Sequence, residues 1–240
     1  MNTYRSTVQQ LSTSQKTSKG APAYSRFVNR KVGRYLAAAA YRAGRTPNQV
    51  TAVSAAFSAA AIALVVLVAP SGSLGVAVCA LLAVGYAFDS ADGQVARLRG
   101  GGTPAGEWLD HVVDSAKICA LHLAVLVSFY RFGGRSDAEL SVPVLWTLVA
   151  TVSFFVIILN DQIRRAHGTA PPVDAQASVL RSLLVAPTDY GVLLLSFLLF
   201  GWHDGFLAVY VLLLAANAAF LALALVKWYR EIAALSMAAS

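Results

Sequence analysis

Of the twelve acidic residues in this chain, four fall in or beside long apolar runs: Asp89, Asp92, Asp110 and Asp114. A carboxylate at membrane depth is costly, so each asks for a function. Their spacing sharpens the question. Asp89, Asp92, Gly93, Ala96 and Arg97 recur at i, i+3, i+4, i+7 and i+8, which is one face of a helix. Gly106, Asp110, Asp114 and Lys117 share one face of the next helix. A seven-residue link, Leu98 to Pro104, carries Gly100, Gly101 and Gly102 and lets the two helices run antiparallel, so that their acidic faces can meet. Four converging carboxylates repel one another unless cations lie between them. All-oxygen ligands favour a hard ion, Mg2+ or Mn2+, over zinc. Arg97 adds a phosphate-binding cation, and Gly93 leaves room for close approach of a ligand. The chemistry these residues suggest is metal-assisted phosphoryl transfer at a membrane edge.

The elements that position these residues are apolar helices. The chain has 240 residues, 57% hydrophobic and 13% charged, and the charged share is about half the soluble average. Six spans are expected, at about 48–69, 73–98, 105–131, 141–167, 177–200 and 204–228, each able to supply the ~20 residues that a bilayer requires. The fold class is therefore all-α and polytopic. Thr46 is the expected N-cap of the first span, with Pro47 at its first helical position. Before it, residues 22–44 mix Tyr24, Arg26, Phe27, Arg30, Lys31, Arg34, Tyr35 and Arg42 with alanines, the pattern of an amphipathic helix lying on the membrane. Residues 1–21 are polar and read as a mobile tail, leaving 22–240 as one membrane domain.

Charge sets the expected orientation. Sixteen of the nineteen Lys and Arg residues fall on one side, among them Arg97, Arg99, Arg164, Arg165, Arg181, Lys227 and Arg230. Arg131 and Arg135 fall on the other, and Lys117 lies within a span. This asymmetry puts both termini and the acidic faces in the cytoplasm. The net charge of +7 sits beside membrane segments, so anionic lipid headgroups and anionic substrates, not nucleic acid, are the expected partners. Cys79 and Cys119 lie inside apolar runs and read as small buried hydrophobes.

The segment Asp89-x2-Asp92-Gly93-x2-Ala96-Arg97-x8-Gly106-x3-Asp110-x3-Asp114 resembles the full signature of the CDP-alcohol phosphotransferases, with all eight fixed positions matched over 26 residues. The six-span layout, the basic N-terminal helix and the entry Pro47-Asn48-Gln49-Val50-Thr51 also look like that family. The resemblance implies that Asp89, Asp92, Asp110 and Asp114 hold two metal ions. It implies that Asp92, Gly93, Ala96, Arg97 and Gly106 shape the CDP site, and that Asp114 is the general base toward the acceptor hydroxyl. A homodimer is implied as well, and the Ala-rich composition points to a bacterial plasma membrane. The favoured reaction is phosphatidyl transfer from CDP-diacylglycerol to a small alcohol with release of CMP.

Alternatives stay open on several residues. Lys117, three residues past Asp114, either contacts a phosphate or tunes that base, or it neutralises the acidic cluster. Glu107 and His111 give a Gly-Glu…Asp-His…Asp pattern that resembles the choline and ethanolamine phosphotransferases of the family, although His111 lies off the Asp face, where it can equally meet the headgroup region; the same chemistry with a CDP-linked small alcohol and a lipid acceptor is the alternative reaction. Arg164 and Arg165 end the fourth span where inositol-phosphate-using members bind the acceptor's phosphate, but Gln162 stands where a Lys is expected. The two arginines are equally a positive-inside anchor. Asp189, in the fifth span, either binds the acceptor or pairs with Arg181. A purely structural reading has the four carboxylates pairing with Arg97 and Lys117 to hold helices together. A divalent-cation transporter is the competing function class. Against it, all four carboxylates lie near one surface, and the sequence shows no internal repeat.

Overall fold

A computed structural model describes residues 3–13, 22–169 and 186–238, and the described secondary structure is all helical. The elements are α1 (Tyr4–Thr13), α2 (Arg30–Arg42), α3 (Pro47–Leu67), α4 (Gly72–Leu98), α5 (Pro104–Gly133), α6 (Asp137–Ala166), α7 (Tyr190–Ser196) and α8 (His203–Ala238). Among the described residues, α3, α4, α5, α6 and α8 are long and apolar enough to cross a membrane, which makes the chain a multi-pass membrane protein. The expected span 177–200 begins outside the described residues, as does Arg181. Its described part is the shorter apolar stretch Tyr190–Leu199.

The helix starts follow local chemistry. Thr46 caps α3 in a capping box: its Oγ1 accepts from Gln49 N at 3.3 Å, and Gln49 Oε1 accepts from Thr46 N at 3.1 Å, with Pro47 at the first helical position. Ser71 and Thr103 cap α4 and α5 by accepting from Leu74 N and Gly106 N. Between those helices Gly100 (φ +93°) and Gly101 (φ +130°) adopt backbone that L side chains rarely take, and the chain reverses there. The Arg99 guanidinium pins this reversal by donating to the carbonyls of Gly44 and Arg45 at 3.0 and 2.9 Å.

Packing decides how the acidic helices sit. α3 packs against both α4 and α5, whereas α4 and α5 scarcely touch each other. The α3–α4 seam is made of small residues: Ser54, Ser58 and Ala61 are buried, and Ser54 Oγ donates to Gly85 O at 2.8 Å. A Cβ on Gly85 would stand 2.8 Å from Ser58 Oγ, so glycine sets the distance between these two helices. The larger apolar core, with Val65, Val78, Leu82, Leu121, Phe197 and Phe206, lies toward the half of the bundle away from the acidic residues. It encloses a polar knot in which His122 Nδ1 and Tyr210 OH lie 2.6 Å apart and Trp146 Nε1 donates to Tyr210 O at 2.9 Å.

The amphipathic helix expected over 22–44 is α2, preceded by a π-helical turn, Ser25–Asn29. Its small face, Gly33, Ala37 and Ala38, is buried, with Gly33 against Ser90 of α4, while Lys31 and Tyr35 face outward. Within the segment read as a tail, Tyr4–Thr13 is a helix whose Thr7 and Leu11 are buried, and Tyr4 OH donates to Tyr35 O of α2 at 3.1 Å. Its apolar positions are only Tyr4, Val8 and Leu11 among polar residues, too sparse a stripe to register as a helix in sequence. Cys79 and Cys119 are free thiols, buried and half-buried.

Candidate active site

The last three turns of α4 and the first four of α5 carry every motif residue, and α3 supports both helices. Carboxylate oxygens of Asp89, Asp110 and Asp114 come within 4.8 Å of one another. Lys117, one turn beyond Asp114, reaches into this group. Its Nζ lies 2.6 Å from Asp89 Oδ1 and 2.6 Å from Asp114 Oδ1, and its side chain is 15% exposed. In this structure the Lys117 ammonium is paired with both carboxylates.

Asp92 stands beside this group and not in it. It is 6% exposed; Oδ2 accepts from Thr51 Oγ1 at 2.7 Å and Oδ1 from Gly93 N at 2.5 Å. The Thr51 hydroxyl, on α3, is a site contact with no role assigned in the sequence reading. The signal available was a hydroxyl one turn inside the first span, four residues past Pro47, where Thr51 Oγ1 also meets Pro47 O.

Arg97 lies one turn beyond Gly93, half-buried, with Arg30 and Asp92 as its charged neighbours. Its Nε is buried with no hydrogen-bond partner. A Cβ on Gly93 would meet only Arg97 Nη1, at 3.7 Å, so the surface beside it is open. A Cβ on Gly106 would stand 3.1 Å from Asn48 Oδ1, which ties the start of α5 closely to α3. The donor set is carboxylate oxygen throughout, flanked by an unpartnered guanidinium nitrogen. That combination fits a hard divalent cation carrying a phosphate ligand.

The residues read as acceptor contacts are all engaged. Arg164 pairs with Glu231 of α8, which Lys227 also approaches at 3.7 Å. Arg165 Nη1 lies 2.5 Å from Glu107 Oε1, and His111 Nε2 stands 3.7 Å from the same oxygen. Asp189 is 2% exposed and caps α7: Oδ1 accepts from Gly191 N at 2.9 Å, and Oδ2 accepts from Ser25 N at 3.0 Å. Asp189 thus works on backbone amides of this chain. Next to it, Tyr190 lies within electrostatic reach of Asp89, Asp114 and Lys117, and its ring meets Tyr86 edge-on at 5.1 Å.

Comparison with known proteins follows the same outline. The family model described as CDP-alcohol phosphatidyltransferase matches residues 45–228. A phosphatidylinositol phosphate synthase from Corynebacterium glutamicum is 40% identical over 80 residues, a stretch covering 33% of this chain and 35% of that protein. The matched stretch is thus about a third of the relative's length. Two crystal structures of Mycobacterium tuberculosis phosphatidylinositol phosphate synthase share the fold. One, with CDP-DAG bound, superposes with a TM-score of 0.55 at 22% identity, covering 84% of this chain and 94% of that one. The other, in complex with manganese and citrate, gives 0.53 at 23% identity, covering 81% and 87%.

Proposed function

Because the chain belongs to the CDP-alcohol phosphatidyltransferase family, we propose that it transfers a phosphatidyl group from CDP-diacylglycerol to an alcohol and releases CMP. The observation that carries this reading is the convergence of Asp89, Asp110 and Asp114 from two helices, with a buried, unpartnered Arg97 Nε one turn beyond Gly93. Asp89, Asp92, Asp110 and Asp114 are the residues that would hold two ions, Mg2+ or Mn2+, and such ions supply charge neutralisation to a pyrophosphate. Arg97 binds donor phosphate, and the open surface at Gly93 and Ala96 admits the nucleotide. Asp114 takes the proton from the acceptor hydroxyl as its oxygen bonds to the lipid-bearing phosphorus. The bond from that phosphorus to the CMP oxygen breaks, and CMP leaves with the electron pair. Release of labelled CMP from purified protein given CDP-diacylglycerol and an alcohol tests the reaction. With the donor panel extended to CDP-linked small alcohols, the same assay separates it from the reversed arrangement. Cation uptake without CMP release would mark a transporter.

The acceptor we infer carries no phosphate. Arg164 and Arg165, the cations best placed to hold one, are already neutralised by Glu231 and Glu107. Serine, inositol, glycerol or ethanolamine should therefore outpace inositol phosphate and glycerol phosphate in an acceptor panel. Turnover with the phosphorylated acceptors far above all others would overturn this.

We also infer that both termini and the 98–105 link face the cytoplasm, from the Lys and Arg asymmetry. A cysteine introduced at Gly102 should resist a membrane-impermeant thiol reagent applied to intact cells, and labelling from outside would contradict the orientation. The span count of six, read from the apolar runs, and a homodimeric assembly, implied by the family, complete this reading. Cross-linking of the protein in native membranes checks the assembly.

A further inference from the structure

Lys117 is outside the eight-position motif, yet it ion-pairs with two of the motif's carboxylates. Its ammonium bridges a carboxylate of α4 to one of α5, 2.6 Å from each, at a place where these two helices otherwise scarcely touch. The oxygens it holds, on Asp89 and Asp114, belong to the group of three carboxylates whose convergence suits a divalent cation. An ammonium and a metal ion cannot both take the same oxygen lone pairs at bonding distance. We propose that Lys117 is a positioning residue that acts as a resident counter-cation. It holds Asp89 and Asp114 convergent across the gap between α4 and α5, and it is displaced from them when a divalent cation binds.

The proposal rests on the metal-site reading above and deepens it. Three carboxylates with one ammonium carry a net charge of −2, and without the ammonium −3. The first divalent ion to bind across Asp89 and Asp114 competes with Lys117, so the affinity of the site is set below what its carboxylates alone would give. Removing the charge frees the oxygens and takes away a cation that repels the incoming ion.

The test is direct Mn2+ binding to the purified, detergent-solubilised full chain, by calorimetry or by the electron paramagnetic resonance signal of free Mn2+. Lys117→Met should bind Mn2+ about tenfold or more tighter than the natural chain. Lys117→Arg, which keeps the charge, should stay within about threefold of it. Lys117→Gln should follow Lys117→Met, and it serves if the methionine variant does not fold. A merely structural lysine would weaken binding when lost, because the carboxylates would no longer be held together. Equal or weaker Mn2+ binding by Lys117→Met and Lys117→Gln, with binding intact in the natural chain, overturns the role of Lys117 and leaves the metal site standing. Absence of Mn2+ binding in the natural chain and the variants alike overturns both.

Discussion

Replacing Asp114 by Asn is expected to lower single-turnover CMP release by at least about 10²–10⁴-fold, the range that general base catalysis supplies, while donor binding survives in part. The amide keeps the shape of the carboxylate and removes the proton acceptor. Two further contributions push the loss upward. Asp114 is one of the three converging carboxylates, so the change also removes a ligand oxygen, and it cuts one arm of the Lys117 bridge. Asp89→Asn gives the contrasting pattern. On the proposed assignment it removes a metal ligand on the donor side, so donor affinity and turnover should fall together. Donor binding by calorimetry at saturating Mg2+, set beside single-turnover CMP release, separates the two cases. Near-normal turnover in Asp114→Asn would remove Asp114 from the role of base.

The other large effect is that of chelation. In excess chelator, CMP release should drop to background, and added Mg2+ or Mn2+ should restore it. The reason is charge. Asp89, Asp110 and Asp114 converge within 4.8 Å, Asp92 adjoins them, and a pyrophosphate donor brings further negative charge to the same place. Lys117 offsets one unit of that sum and Arg97 another, which leaves an excess that hard divalent cations must neutralise before a nucleophile can approach. Sustained turnover in rigorously metal-free buffer would sink the metal-site reading.

The motif was legible because helical periodicity and the cost of intramembrane carboxylates are both properties of local sequence. Asp89, Asp92 and Arg97 had to share a face, as did Asp110 and Asp114, and the glycine link had to turn the chain between them. What could not be read were partnerships across the fold. The bond from Thr51 to Asp92 joins residues 41 apart, and Glu231 reaches Arg164 over 67. Nothing local to either partner announces the other. Asp189 illustrates a signal that was present and passed over. An Asp two residues before Gly191, following Ala186-Pro187-Thr188, is a capping pattern, but inside an apolar stretch an acidic residue reads equally as an acceptor contact or as a partner of Arg181. α1 escaped for the opposite reason: its periodicity exists but rests on three apolar positions.

The carboxylate of Asp189 takes one hydrogen bond from its own helix and the other from Ser25 N, a residue that precedes the family match at residue 45. α2 lies in the same excluded stretch, with its small face seated on α4 and the Arg30 carbonyl accepting from Gln94 Nε2 at 3.3 Å. A chain trimmed to the shared segment would therefore strip one hydrogen-bond partner from a buried carboxyl group and uncover the back of the helix that carries Asp89 and Asp92. The stretch over which sequence is held in common is shorter than the stretch that holds itself together, and an expression boundary drawn on the first would cut through the second.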